Sequence, residues 1–240
     1  MRSKIINELA PSGVLRAGIN TANILLVTGE KDNGEPSGVS PNLANEIALE
    51  LGVEIKYISC ETPGGTAETI KNNICDIVLI ADEPARAEFI SFTDAYVEIE
   101  ATYIVPQNSP IKIISDVDQF QNRIAVSGTS AYDLYLSRTI KEASLCRGQG
   151  LPETAQLFLD EKLDALAGLR PALEENLERM SGMRILKDSF MTVEQAIGTH
   201  KTNSLGHEFL VDFITSAKSS GLISNLIKKY GVEGKLQVPK

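Results

Sequence analysis

The chain is poor in the residues that soft metals and thiol chemistry require: its 240 residues include two histidines and three cysteines. His200 and His207 stand beside no cysteine and in no H-E-x-x-H pattern, the spacing that sets two imidazoles on one helical face around zinc. Cys60, Cys75 and Cys146 are odd in number and far apart, with no C-x-x-C pair. A zinc site or a redox dithiol is therefore not encoded, and the thiols read as buried and reduced. His207 reads as a surface residue near a helix start, and His200 as following a Gly-Thr turn. Neither G-x-x-x-x-G-K-[ST] nor G-x-G-x-x-G occurs, so nucleotide chemistry has no motif. No metal or other cofactor is expected.

No apolar stretch approaches the roughly 20 residues needed to span a bilayer, and there is no low-complexity tract or run of Lys and Arg. The formal net charge of −9 works against nucleic acid and anionic membrane surfaces, so neither is an expected partner. The amino end, M-R-S-K-I-I-N-E-L-A-P, is interrupted by Asn7 and Glu8 and lacks the apolar core of a secretion signal. The expectation is a periplasmic protein if a leader precedes this sequence, and a cytoplasmic one if Met1 is the native start.

A hydrophobic share of 42% and a charged share of 23% are those of a globular protein, and the length allows one large domain or two lobes. Leu15–Asn20 reads as a first strand. Pro41–Leu51 places Leu43, Ala44, Ile47, Ala48 and Leu51 on one helical face, with Gly52 as its stop. V-E-I-K-Y-I then alternates as a strand, Thr66–Asn73 is a short helix, and Ile77–Ala81 a buried strand. This β-α-β-α-β order implies a largely parallel sheet covered on both faces. A second series runs strand Ile124–Val126, helices Ala131–Ile140 and Thr154–Asp160, strand Asp164–Ala167, helix Pro171–Met180, and the short strand Gln195–Thr199. Two amphipathic helices close the chain. D-I-V-L-I-A-D-E-P-A-R and D-A-L-A-G-L-R-P-A each run Asp, apolar strand, turn, Pro, which suggests two α/β lobes of similar plan.

Two strand-to-helix turns look suited to an anion. If Glu83-Pro84 opens a helix, Arg86 falls in its first turn, where the dipole disfavours a cation by about 0.3–1 kcal/mol. The placement asks for a compensating anion, either Asp82 or Glu83 or a bound ligand. V-S-G-T-S-A-Y-D-L offers a close backbone approach at Gly128, with Thr129 or Ser130 to cap the helix that follows. An ordinary capped helix reads equally from that segment alone. Arg86, Thr129, Ser130 and Arg170 all directly follow expected strands, and ligands of open α/β sheets sit beyond the carboxyl ends of strands. All four can face one crevice between lobes.

With L-R-A-G-I-N, G-V-S-P-N-L-A-N-E-I-A-L-E-L-G, P-A-R-A-E-F-I-S-F-T-D-A-Y, S-G-T-S and A-K-S-S-G-L-I-S-N-L-I-K-K-Y-G, the chain resembles, over nearly its whole length, the extracellular solute-binding proteins of family 3 that serve polar amino acid ABC importers. The pattern R-A-x-x-I-x-F-T-x-x-Y at Arg86–Tyr96 is the most specific of these. The resemblance implies an α/β, two-lobed type II periplasmic-binding-protein fold (venus flytrap) with mostly parallel sheets and two hinge strands, near Ile99–Val105 and Ala196–Thr199. Lobe 1 would be residues 1–100 plus 200–240, and lobe 2 residues 101–199. It further implies that Arg86 holds a ligand carboxylate together with the loop at Thr129, Ser130 and Ala131. Asn23, Ala81, Asp82 and Arg170 complete the candidate ligand-binding set.

The expected role is non-enzymatic capture of a small carboxylate-bearing solute, with ABC permease subunits as partners and the protein itself a monomer. The alternatives are a dehydratase of the prephenate or arogenate kind, whose acid or base would come from Asp82, Glu83, Asp133 or Glu61, and a cytosolic sensory module. Two departures bear on the ligand. Where the family usually places an Asp for the ligand ammonium, the sequence reads A-G-L-R-P, and Leu79 and Ala81 replace the common hydroxyl residues. Two arginines facing one crevice would favour a ligand of net negative charge, unless Arg170 points to solvent or pairs with Glu174, or Asp82 or Glu61 receives an ammonium.

Overall fold

The computed structural model describes residues 1–239 and divides the chain into two compact units, Met1–Glu98 with Glu194–Lys240, and Ile99–Val193. The first unit opens with helix α1 (Arg2–Leu9) and strand β1 (Val14–Asn20), then a small hairpin of β2 (Gly29–Glu30) and β3 (Pro36–Ser37). Helix α2 (Val39–Leu51), β4 (Glu54–Cys60), α3 (Pro63–Lys71), β5 (Ile77–Ala81) and β6 (Ile90–Phe92) follow, and the chain enters the second unit within β7 (Val97–Pro106). Both β4 and β5 run parallel to β1, as the β-α-β-α-β reading requires. The carboxyl ends of these three strands therefore share one edge. Gly52 stops α2 with φ 67, the left-handed conformation glycine adopts without a Cβ penalty. Thr62 caps α3 by accepting from the Gly65 amide at 3.0 Å, with Pro63 at the first helical position. Ala67 and Ile70 of α3 cluster with Cys75, Val78, Ile80 and Ile90.

No α-helix follows β5. The amides of Arg86 and Ala87 both donate to the Glu83 carbonyl, at 2.9 and 2.8 Å, and those of Phe89 and Ile90 to the Arg86 carbonyl. These are successive turns that return the chain directly to β6, too short a connection for a helical ladder. The helix expected from Glu83-Pro84 is thus corrected, and no helix dipole acts on Arg86.

In the second unit come β8 (Arg123–Ser127), α4 (Ala131–Thr139), β9 (Ser144–Gly148), α5 (Gly150–Asp160), β10 (Ala165–Leu169), α6 (Arg170–Leu177) and β11 (Met183–Ile185). Strands β9 and β10 run parallel to β8, while β7 is antiparallel to β10. Strand β9 was not foreseen: S-L-C-R-G is short, ends in glycine and is only partly buried, so it carries little of the apolar signal that marks a strand. Ile104, Ala125, Phe158, Leu166 and Leu173 form this unit's core.

The chain returns within β12 (Met191–His200) and ends with α7 (Ser204–Ser219) and α8 (Leu222–Lys229). α7 buries Leu210, Phe213, Ile214 and Ala217, and α8 buries Ile223, Leu226 and Ile227, much as their periodicity dictates. Gly198 lies inside β12 rather than in a turn. A Cβ there would come within 2.4 Å of Ile90 Cγ2, so the glycine serves close approach to β6. No described helix is long and apolar enough to cross a membrane.

The units repeat one joint. The Asp76 amide donates to the Arg16 carbonyl at 2.8 Å while the Asp76 carboxylate accepts from the Arg16 amide at 2.9 Å. In the second unit Asp164 and Arg123 make the same exchange at 3.0 and 2.8 Å. The shared Asp–strand–turn–Pro run in the sequence reflects this common plan.

Candidate functional site

The carboxyl edge of the first unit's parallel strands gathers Asn23 after β1, Glu61 after β4 and Ala81–Arg86 after β5. Arg86 is 4% exposed. Its Nη1 donates to the Ala81 carbonyl at 2.7 Å, so Ala81 contributes a backbone oxygen that aims the guanidinium. Burial pushes the guanidinium down to about 10, and the negative fields of Glu83 and Asp82 oppose that shift. A buried cation of this kind gains from any anion brought to it. Asn23 is buried as well, and its Oδ1 accepts from the Leu25 amide at 3.2 Å, an Asx turn that shapes the loop after β1.

Asp82 sits beside Glu194, an acid the sequence reading did not single out. The Asp82 amide donates to the Glu194 carbonyl at 2.9 Å, and β12 runs antiparallel to β5 with Gln195 opposite Ala81. Burial, Glu194 and Glu83 all push the Asp82 carboxyl up, and Arg86 only partly offsets them. Only the tertiary pairing of β5 with β12 brings Glu194 here; nothing in the local sequence signals it. Glu61 is exposed on the same edge.

In the second unit, the loop after β8 carries Thr129, Ser130 and Ala131. Ser130 caps α4 through Oγ, which accepts from the Asp133 amide at 3.0 Å. Thr129 has φ 60, a left-handed conformation uncommon for a β-branched residue. Its amide donates to Asp133 Oδ2 at 2.9 Å, so one loop N–H that the resemblance assigns to a ligand is engaged by the chain's own carboxylate. Ala131 and Tyr132 begin the helix and, from helix geometry, keep amides without an intrahelical acceptor. Asp133 is 4% exposed and also accepts from Ser137 Oγ at 3.3 Å and Arg147 Nε at 3.0 Å. Arg147, at the end of β9, escaped the sequence reading together with its strand.

Arg170 requires a correction. Its Nε donates to Glu100 Oε2 at 2.6 Å, Nη1 to the Leu186 carbonyl at 3.2 Å and Nη2 to the Lys187 carbonyl at 2.8 Å. The guanidinium is thus held by the second unit itself, with Glu100 rather than Glu174 as its counter-charge. The two-cation argument for a net negative ligand loses its premise.

The cysteines are free; Cys75 is buried, and Cys60 and Cys146 are half-buried. Burial raises all three thiols, Cys75 to about 11, which keeps them protonated and weakly nucleophilic. His207 Nε2 lies 2.8 Å from the Phe92 carbonyl, a contact that ties α7 to the end of β6, and His200 Nδ1 lies 2.8 Å from Thr202 Oγ1 within the turn that follows β12. Among the described residues no group of three His, Cys, Asp or Glu could hold a metal ion.

Comparison with solved structures returns many folds of this kind. A mutant of ArgBP from T. maritima matches with a TM-score of 0.78 at 21% identity, covering 95% of this chain and 100% of its own. A cysteine-binding protein from Campylobacter jejuni matches at 0.77 and 19%, over 96% and 93% of the two chains. An ancestral amino acid-binding protein, a precursor of cyclohexadienyl dehydratase, matches at 0.77 and 19%, over 94% and 98%. A search of curated proteins returned no match. The fold is accordingly α/β and of the two-lobed periplasmic-binding-protein type. The family model for bacterial extracellular solute-binding proteins, family 3, matches residues 15–233, and the chain belongs to that family.

Proposed function

We propose that this protein captures a small solute bearing a carboxylate and presents it to an ABC permease. Arg86 carries the reading: a cation buried to 4% exposure, at the strand-end edge where α/β sheets bind ligands, and lowered by that burial. A carboxylate could meet the guanidinium in a two-pronged, charge-assisted pair. In the second unit, the start of α4 leaves the amides of Ala131 and Tyr132 without intrahelical acceptors, a donor set of the kind that suits an anion. The chain passes between the units within β7 and β12, and closure about these two crossings is the proposed response to ligand. The neighbours named for binding arginine, cysteine or amino acids generally support an amino-acid-like solute.

The experiment is native mass spectrometry of the purified protein after exposure to a metabolite pool, followed by thermal shift with each retained compound. A retained solute at a hundredfold excess over its Kd stabilises the fold by about 2.7 kcal/mol. Failure of every carboxylate-bearing compound to bind would overturn the proposal.

A second reading, an enzyme on the same scaffold, draws on Asp82. A carboxyl raised by burial and by like charges has the character of a general acid. Asp133, by contrast, is bound by Arg147, Ser137 and the Thr129 amide. Appearance of a dehydrated product on incubation, lost in Asp82→Asn, would favour this reading.

A further inference from the structure

Each amide from Gly128 to Ser130, in the loop between β8 and α4, has an acceptor within the second unit. The Gly128 amide donates to the Gly148 carbonyl at 2.9 Å, the Thr129 amide to Asp133 Oδ2 at 2.9 Å and the Ser130 amide to the Ser127 carbonyl at 3.3 Å. An anion arriving at this loop is therefore left the first helical amides, those of Ala131 and Tyr132. Asp133 follows them directly. Its carboxylate is 4% exposed, and a fixed negative charge in the first turn already answers the positive end of the helix. Left uncompensated, it would repel a second anion placed beside it.

Arg147 removes that conflict. From the end of β9 its Nε donates to Asp133 Oδ1 at 3.0 Å and its Nη2 to Ser137 Oγ at 2.8 Å, while Ser137 Oγ donates in turn to Asp133 Oδ1 at 3.3 Å. The cap of α4 does not require this cation: Ser130 Oγ accepts from the Asp133 amide at 3.0 Å, and an acid in the first turn of a helix is favourable without a counter-ion. Nor is Arg147 there to fill a core, since 48% of its side chain stays exposed. We propose that Arg147 is a positioning residue for the anion: acting through Asp133, it cancels the charge of the loop's own acid and so leaves the start of α4 open to a ligand carboxylate. The assignment rests on the proposed capture of a carboxylate and adds a cation of the second unit that tunes it at one remove from the solute.

The test is calorimetry with the standard amino acids, acetate and succinate, taking the tightest binder of that set as the probe. Arg147→Met should weaken the probe about tenfold at an ionic strength of about 0.02 M and clearly less at about 0.5 M, where salt screens the exposed side of the pair. Arg147→Lys, which keeps the charge, should retain most of the parent affinity. The deciding protein carries Arg147→Met together with Asp133→Asn, which removes the uncompensated charge while an amide oxygen remains for the Thr129 N–H. It should regain most of the affinity that Arg147→Met loses. A role confined to holding the loop's shape gives the opposite result, because the double variant strips the same bridge from both sides; a loss that is unrelieved or deeper there would overturn the inference. So would an Arg147→Met protein that binds as tightly as the parent. Both of those results leave Arg86 and the capture of a carboxylate standing, whereas a parent protein that binds no member of the set would overturn the capture reading together with this inference. Should Arg147→Met fail to fold, Arg147→Gln, which keeps a polar contact to Ser137, takes its place with the same expectations.

Discussion

Arg86 is the residue whose environment most limits what the site can do. Its position after I-V-L-I-A marked it as a cation in search of an anion, and the structure keeps that demand while changing its origin: burial and the Ala81 carbonyl hold it, not a helix end. Arg86→Lys preserves the charge but loses the planar fork, and calorimetry with the native solute should show at least a tenfold weaker Kd. Arg86→Ala should additionally cost about 1–3 kcal/mol in urea unfolding, because Glu83 and the Ala81 carbonyl lose their neighbouring cation. Asp82 gives a prediction of opposite sign. An acid raised in the folded state binds its proton more tightly there than in the unfolded chain, so stability declines as pH rises through its folded pKa. Ligand-free Asp82→Asn should therefore melt higher than the parent at pH 7, and the difference should vanish below the ordinary aspartate value of about 3.9. A lower melting temperature at pH 7 would mean that Asp82 is stabilising where it stands. Such a destabilising residue at a binding edge is what a trade of stability for function looks like.

At the scale of elements, the loop from β8 into α4 shows a short sequence holding itself in shape. Ser130 caps the helix, Thr129 adopts φ 60, and Asp133 closes the loop from one turn along while Arg147 reaches it from the end of β9. Ser130→Ala should cost about 1 kcal/mol in denaturant unfolding. Asp133→Ala should cost more, about 1–3 kcal/mol, since it strips three partners at once. The cap was legible because S-G-T-S-A-Y-D carries its own hydrogen-bonding logic; Arg147 was not, because its partner is fourteen residues away across a strand too short to announce itself. Gly198 tells the same story in reverse. Read locally, Gly-Thr looks like a turn; in place, it is a strand position whose missing Cβ lets Ile90 and Phe92 pack against β12. Gly198→Ala should destabilise by about 1–3 kcal/mol through overpacking, and a loss smaller than a few tenths would show that β6 yields easily.

Over the whole molecule, the net charge of −9 and a pI near 4.9 set how solutes arrive. If the solute is cationic, its association rate should fall as ionic strength rises from about 0.01 to 0.15 M, where the Debye length shrinks from about 30 to 8 Å; stopped-flow mixing measures it, and a rate that increases with salt would point to an anion. The sequence by itself determined the alternating α/β order, the faces of α2, α7 and α8, the stop at Gly52, and the strand-end placement of Arg86, Thr129 and Ser130. All of these follow from periodicity, capping and turn chemistry acting within a dozen residues. Tertiary structure alone decided which charges meet. It set Glu194 beside Asp82 through the antiparallel pairing of β12 with β5, gave Arg170 to Glu100, and gave Arg147 to Asp133. Partners brought together by sheet register across 14 to 112 positions leave no mark in either local segment, because a side chain's counter-charge depends on where the chain returns and not on what adjoins it in sequence.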